Sequence, residues 1–307
     1  MPKGVVVKST GSRYVVRDEN GILYSCRIKG RMRLDDIKST NPVAVGDFVV
    51  FEQDGEDSVI SELLDRKNYV VRRSTNLSKQ THVLAANVDQ ALLVVTINYP
   101  VTTSVFIDRF LASAEAFGVP VIMVFNKLDR YDASHLEDLE QYKTIYTDMG
   151  YKVLDVSAKN EEGLEAVKEC LKDKVSVIAG HSGVGKSTLI NKIEPGLNLR
   201  TDEISEVNNS GKHTTTFAEM HEFSFGGYVI DTPGIRGFGI ANIDKSEVGL
   251  YFRDIFEESS KCQFGNCTHM HEPGCAIKLA VEDGRIAYSR YQSYVNIVLS
   301  VEGGKYR

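Results

Sequence analysis

The chain has 307 residues, of which 42% are hydrophobic and 25% charged, and its formal net charge is −6. This composition is typical of an ordinary globular protein with two or three domains. No apolar run approaches the length of a bilayer-spanning helix, so we expect no membrane partner. Residues 1–16 lack the layout of a secretion signal, so we expect a cytoplasmic protein. We also expect the protein to be a monomer.

The first predicted domain, residues 1–66, consists of short strands separated by polar turns. Its strand candidates are KGVVVKS, RYVVRD, ILYSCRIKG and DFVVFEQ. About five such strands suggest a small β-barrel, and an oligonucleotide-binding (OB-like) fold is the natural expectation, although another small barrel stays open. Lys and Arg outnumber acids in residues 1–50, so this domain is locally basic despite the net negative charge.

The second predicted domain, residues 67–241, begins with a polar and basic connector up to about residue 90. Apolar runs such as ALLVVTIN, VIMVFNKLD and VSVIAG then alternate with helical segments. This alternation is typical of a parallel sheet with helices on both faces, that is, an α/β domain. The third predicted domain, residues 242–307, is mostly helical and rich in Cys and His.

A phosphate-binding loop is predicted at residues 180–187, where GHSGVGKS matches the G-x-x-x-x-G-K-[ST] pattern between a strand and a helix. Glycines allow backbone N–H groups to surround a phosphate, and the helix N-terminus adds a favourable dipole. Lys186 is expected to contact the β- and γ-phosphates, and Ser187 to bind Mg²⁺. The predicted phosphate-contacting residues are Gly180, His181, Ser182, Gly183, Val184, Gly185, Lys186, Ser187 and Thr188.

A second motif predicts that the nucleotide is GTP or GDP. The tetrapeptide NKLD follows the apolar strand VIMVF and resembles the guanine-specificity motif of Ras-like GTPases. The Asp129 carboxylate can accept hydrogen bonds from N1–H and the 2-amino group of guanine, whereas adenine offers neither donor. With the later S-A-K loop, the predicted base-contacting residues are Asn126, Lys127, Leu128, Asp129, Ser157, Ala158 and Lys159.

Two further segments resemble the switches of GTPases. Asp231 begins D-T-P-G after a predicted strand, and its carboxylate is expected to hold Mg²⁺ through water. One threonine of the run Gly211–Thr216 should complete the Mg²⁺ coordination; Thr215 is the candidate, and the choice among the threonines stays open.

The motifs occur in an unusual order along the chain. Ordinary GTPases have the phosphate loop first, then the switches, N-K-x-D and S-A-K. Here N-K-x-D and S-A-K precede the phosphate loop, and D-x-x-G comes last. Circular permutation can preserve a three-dimensional site, because chain termini often lie close together. The order therefore predicts a circularly permuted GTPase.

A metal site is predicted near the C-terminus. Cys262, Cys267, His269 and Cys275 supply three thiolates and one imidazole, the ligand set of a closed, structural Zn²⁺ site. His271 is the alternative fourth ligand. Soft ligands disfavour Mg²⁺ and Ca²⁺ here.

Taken together, these features resemble the ribosome small-subunit-dependent GTPase A family. The segments that carry the resemblance are ANVDQALLV, FNKLD, SAK, GHSGVGKSTLIN, GKHTTT, IDTPGIRGFG and the C-x₄-C-x-H-x₅-C cluster. The resemblance implies an OB-like barrel, a central GTPase and a zinc domain. It also implies binding to the immature small ribosomal subunit and its rRNA late in assembly, release of assembly factors, and hydrolysis stimulated by the subunit.

The residue that orients the hydrolytic water is left open by the sequence. Ras-type enzymes use a Gln directly after the D-x-x-G motif, and here that position is the apolar Ile235. Many members of the resembled family carry a His a few residues later, where this chain has Asn242. His213 and His181 are alternatives. The predicted catalytic set is therefore Lys186, Thr215, Asp231 and Asn242.

Two other functions compete with a GTPase assembly factor. One is a GTP-gated RNA-binding scaffold with negligible hydrolysis, which Ile235 keeps open. The other is a P-loop kinase acting on a small molecule, which the base-contacting motifs disfavour. Candidate RNA contacts are the basic run Arg27–Arg33, four basic side chains around residue 70 and two aromatic platforms. The four basic side chains are Arg66, Lys67, Arg72 and Arg73, and the two aromatic platforms are Tyr24 and Phe48.

Overall fold

The computed structural model of the chain describes residues 1–28, 42–54, 57–73, 81–199, 218–231 and 244–302. Most of the predicted basic run Arg27–Arg33 and the predicted switch residues Thr215, Ile235 and Asn242 lie outside these ranges.

The N-terminal domain is a closed five-stranded barrel. Its strands are β1 (Lys3–Ser9), β2 (Tyr14–Asp18), β3 (Leu23–Ile28), β4 (Phe48–Asp54) and β5 (Asp57–Leu63). They pair in the order β1-β2-β3-β5-β4, and β4 returns to pair with β1. Alternate residues of the strands, such as Tyr14 and Val16, or Val49 and Phe51, point into the barrel core. The barrel predicted from the sequence is confirmed.

A two-stranded hairpin follows the barrel, where the sequence predicted only a connector. It consists of β6 (Tyr69–Arg73) and β7 (Thr81–Ala86), which pair antiparallel. Val70, Val71 and Val83 are each 1% exposed, so the apolar residues of the hairpin are buried although the segment is polar overall. The polar residues on either side concealed these short buried runs, and the connector prediction was wrong.

Arg66, just before the hairpin, is not available to RNA as the sequence predicted. Its guanidinium donates to both Asp47 carboxylate oxygens at 2.7 Å, and its side chain is 6% exposed. The pair connects the barrel to the segment that leaves it. A buried, doubly hydrogen-bonded guanidinium is a structural group, so we correct that prediction.

The central domain is a mostly parallel sheet. Its parallel strands are β8 (Gln90–Val95), β9 (Val121–Phe125), β10 (Lys152–Asp155), β11 (Val175–Ala179) and β13 (Tyr228–Asp231), in the order β10-β9-β8-β11-β13. The helices are α1 (Ser104–Ala116), α2 (Ala133–Asp148), α3 (Leu164–Leu171) and α4 (Lys186–Ile193).

Both faces of this sheet are covered, which explains why its strands are apolar throughout. In β8, Leu93 and Val95 belong to the core under α1 and α2, whereas Leu92 and Val94 belong to the core under α3 and α4. Because every β8 side chain is buried, the strand shows no alternation of polarity. The α/β prediction is confirmed.

An antiparallel edge strand, β12 (Ala218–Glu222), joins the barrel to the central sheet. It pairs with β13 on one side and with β1 on the other, so the two domains share one eleven-stranded sheet. Two ion pairs reinforce the junction, Lys8–Glu219 at 2.9 Å and Arg17–Glu222 at 3.0 Å. The sequence did not predict this strand.

The C-terminal domain is helical, as predicted. After a 3₁₀ segment (Lys245–Tyr251) it contains α5 (Arg253–Ser259), α6 (Ala276–Glu282) and α7 (Tyr288–Glu302). Its core includes Ala112 of α1, so the domain packs on the first helix of the central domain. None of the described helices is both long and apolar enough to cross a bilayer.

Candidate nucleotide-binding site

The predicted nucleotide motifs lie at one edge of the central sheet. Asn126 follows β9, Ser157 lies just beyond β10, Gly180 follows β11, and Asp231 ends β13. The carboxyl ends of parallel strands are the usual ligand-binding edge of an open α/β sheet. The permuted chain therefore brings together motifs that are far apart in sequence.

The phosphate loop adopts the backbone that its glycines predict. Gly180 has a φ of +136°, and a Cβ there would lie 2.1 Å from the Val94 carbonyl oxygen. Gly185 has a φ of +96°, and a Cβ there would lie 2.4 Å from Asn126 Nδ2. Any side chain at either position would clash, so the loop depends on glycine for its shape. Helix α4 begins directly afterwards at Lys186.

The Lys186 side chain curls over the loop to which it belongs. Its Nζ donates to the carbonyl oxygens of Gly180 at 3.0 Å and His181 at 2.6 Å. The ammonium therefore lies at the mouth of the loop, where a nucleotide phosphate would replace carbonyl partners. The His181 ring packs against Phe106 of α1, with ring centroids 3.7 Å apart.

Asn126 connects three loops through its side chain. Its Nδ2 donates to Val184 O at 2.8 Å, and its Oδ1 accepts from Ala158 N–H at 3.1 Å. The side chain is 1% exposed. The two motifs that the sequence predicted to meet around one nucleotide are thus in direct contact.

Lys127 makes a second link to the phosphate loop. Its Nζ donates to the carbonyl oxygens of Gly183 and Tyr99. Its backbone is left-handed, with a φ of +70°. Burial, with the nearby Arg130 charge, lowers the pKa of the Lys127 ammonium from its ordinary value.

Asp129 is held by the S-A-K loop. Ser157 Oγ donates to Asp129 Oδ1 at 2.7 Å, and the Leu128 N–H donates to Val156 O at 3.3 Å. This hydrogen bond fixes the orientation of the Asp129 carboxylate. Lys159, the last residue of the S-A-K loop, is exposed.

The predicted magnesium ligands are only partly described. Ser187 lies in the first turn of α4 and Asp231 at the end of β13, both half-buried. Thr215 and Asn242 lie outside the described residues, so their predicted roles stay predictions.

Comparisons with known proteins agree with this geometry. A family model described as RsgA GTPase matches residues 63–241, and one described as RsgA N-terminal domain matches residues 3–60. A small ribosomal subunit biogenesis GTPase RsgA from Bacteroides fragilis is 55% identical over 307 residues, with 99% of each chain covered. One from Christiangramia forsetii is 50% identical, covering 96% of this chain and 95% of the relative.

The chain belongs to the RsgA GTPase family.

Solved structures give the same fold. YjeQ from Thermotoga maritima has a TM-score of 0.80 and 39% identity, covering 98% of this chain and 99% of its own. YloQ, a circularly permuted GTPase, has a TM-score of 0.74 and 30% identity, covering 100% of this chain and 97% of its own. As an RsgA GTPase, the protein is a GTP hydrolase with permuted motifs, which excludes the P-loop kinase alternative.

The RsgA-family chain also has the cysteine and histidine cluster that its sequence predicts. One ligand atom from each of Cys262, Cys267, His269 and Cys275 lies within 4.8 Å of the others. Zinc–sulfur bonds of roughly 2.3 Å in a tetrahedron require separations of this order, so the residues fit Zn²⁺. His271 is exposed and not part of the cluster.

Two further residues of this RsgA GTPase, which the sequence did not single out, hold loops in place through hydrogen bonds. Glu272 accepts from the Thr268 hydroxyl at 2.7 Å and from the N–H groups of Thr268, Met270 and His271. These bonds lower the pKa of Glu272 far below its ordinary value. The other is Tyr131, two residues after Asp129. Neither belongs to a motif, and each acts through contacts that only the folded chain shows.

Proposed function

We propose that the chain binds the small ribosomal subunit late in its assembly and hydrolyses GTP to GDP and phosphate at a rate that the subunit raises. The observation that carries the proposal is the contact of Asn126 with Val184, which unites base and phosphate loops. It occurs in a chain 55% identical over its length to a small ribosomal subunit biogenesis GTPase. The proposal includes cytoplasmic location, action as a monomer and release of assembly factors.

In the proposed site, the protein recognises the base and phosphates with separate loops. Asp129 accepts the guanine N1–H and 2-amino hydrogens, and the Lys127 stem covers one face of the ring. The phosphate-loop N–H groups and Lys186 bind the phosphates, and their positive charge stabilises the negative charge of the transferred group. Ser187 and Asp231, with Thr215, would hold Mg²⁺. Asn242 is the proposed water-orienting residue.

The barrel is the proposed rRNA contact. Arg27 and Phe48 are exposed on its surface, Phe48 to 49%. Tyr24 packs against Phe51 with ring centroids 4.8 Å apart and its hydroxyl lies 3.4 Å from Asp18, so it is a weaker stacking candidate. Exposed aromatic rings beside basic groups suit stacking on unpaired bases. The C-terminal cluster is proposed to hold one structural Zn²⁺.

The direct test is GTP turnover by the purified protein with small subunits, with large subunits, or with neither. The proposal predicts a large rise with small subunits alone. Equal turnover under all three conditions would contradict it. Salt dependence of the stimulated rate provides a second check, because rRNA contacts through Arg and Lys weaken as salt rises.

A further inference from the structure

A short segment of the central domain, Ile97–Pro100, lies between the base-recognition loop and the phosphate loop. Its residues contact both. Lys127 Nζ donates to Tyr99 O, and a Cβ placed on Gly183 would lie 3.6 Å from Pro100 Cδ. We call this segment the brace.

Three consecutive brace residues are held by residues in or just after the base-recognition loop. The Ile97 N–H donates to the Tyr131 hydroxyl at 2.8 Å. The Asn98 amide lies 2.9 Å from His135 Nε2, and Tyr99 O accepts from Lys127. The brace is therefore fixed to the loop that carries Asn126 and Asp129.

Tyr131 also holds the base-recognition loop itself. Its hydroxyl donates to Asn126 O at 2.7 Å while accepting from Ile97 N–H. Burial raises the pKa of the Tyr131 phenol to about 12, so the proton needed for this donation is present at neutral pH. One hydroxyl thus pairs two backbone groups beyond the ends of β8 and β9.

We propose that Tyr131 is a positioning residue for guanine recognition, which fixes the Asn126 backbone against the brace and thereby sets where Asp129 meets the base. This rests on the proposed base-recognition role of Asp129. The side chain of Asn126 connects to Val184 and Ala158, so any shift of its backbone displaces both loops around the nucleotide.

The test is Tyr131→Phe, which deletes only the hydroxyl. Ile97 N–H and Asn126 O then lose their hydrogen-bond partner. Losing one such hydrogen bond changes an equilibrium constant, of binding or of folding, by about tenfold. We expect GDP to bind about tenfold more weakly, and the ratio of GDP to IDP affinity to fall, because inosine lacks the 2-amino group that Asp129 contacts. We expect turnover at saturating GTP to stay within about twofold of wild type, with KM raised.

The matched control is Tyr142→Phe. Tyr142 lies on α2 in the same core, with its ring 6.1 Å from that of Phe125, and its hydroxyl contacts neither Ile97 nor Asn126 in the structure. We expect it to leave both nucleotide affinities unchanged. If Tyr131→Phe does not fold, Asn98→Ala loosens the brace from His135 instead, with the same expected loss of discrimination.

The outcomes separate this inference from the proposed function. An unchanged ratio of GDP to IDP affinity in Tyr131→Phe, whether or not both affinities fall, overturns the positioning role. Wild-type protein that binds GDP and IDP equally overturns the base-recognition assignment itself.

Discussion

Asn126 shows how a single buried side chain builds the site. Its amide donates to Val184 in the phosphate loop and accepts from Ala158 in the S-A-K loop. Both hydrogen bonds are made in a position 1% exposed to solvent. Losing either partner would leave a buried polar group unsatisfied, so the three loops keep one arrangement.

The proposed contact that selects the base is the Asp129 carboxylate. We predict that Asp129→Asn weakens GTP binding by at least about 100-fold and improves binding of XTP, because an amide can donate to the xanthine 2-oxygen but cannot accept both guanine hydrogens. Competitive displacement of a fluorescent nucleotide measures this. Asp138→Asn, an exposed change on α2, is the control. GTP affinity that stays unchanged in Asp129→Asn would remove the assignment.

At the residue scale the sequence predicted motifs but not their supports. Asp129 and Gly180 were found because their chemistry requires fixed neighbours along the chain. Tyr131 contacts Ile97, and His181 packs against Phe106, across separations that no local pattern encodes. Arg66 was misjudged because its partner, Asp47, is identified only by the fold.

One carboxylate organises residues 268–272, the loop that carries His269 of the proposed zinc site. Glu272 accepts four hydrogen bonds from residues 268–271, the segment that contains His269. The Tyr291 and Tyr294 hydroxyls donate to the carbonyl oxygens of His269 and Thr268. Backbone N–H and C=O groups that would otherwise need water as a hydrogen-bond partner are therefore satisfied by these side chains.

We predict that Glu272→Gln weakens zinc binding by about tenfold or more, as loss of an outer-shell partner does at other metal sites. A glutamine has one acceptor oxygen where the carboxylate has two, so the loop loses part of its support. Zinc transfer to a colorimetric chelator measures the change. Glu282→Gln, exposed at the end of α6, is the matched control. Equal transfer rates in the two variants would contradict the prediction.

Among elements, the apolar strands were predictable and the hairpins were not. Strands such as β8 and β9 are buried on both faces, so their sequences are apolar throughout. β6, β7 and β12 are short and are flanked by polar residues. The hydrophobic pattern of a short strand between polar segments is too brief to identify the strand from the sequence.

Contacts between domains make the molecule one unit. The barrel shares a sheet with the central domain through β1 and β12. Arg290 of α7 donates to Asp108 of α1 at 2.6 Å and to Asp254 of α5 at 2.9 Å. Its side chain is 2% exposed, so the ion pair joins the C-terminal domain to the GTPase domain away from water. Neither junction was predictable, because each depends on which surfaces meet.

We predict that Arg290→Met destabilises the protein by about 3–5 kcal/mol, because Asp108 is left buried without its cation. Arg285→Met is the control: its guanidinium is half-exposed and paired with Glu258, and its loss should cost less than about 1 kcal/mol. Urea unfolding followed by circular dichroism measures both. Similar unfolding midpoints for the two variants would show that the buried pair is not a structural junction.

The central claim is that separated motifs of a permuted chain form one guanine-specific pocket. The most direct measurement is a titration of the wild-type protein with GDP and ADP against the same fluorescent nucleotide. We predict that GDP binds at least about 1,000-fold more tightly, because adenine leaves the Asp129 carboxylate unpaired. Equal affinities for GDP and ADP would contradict the claim.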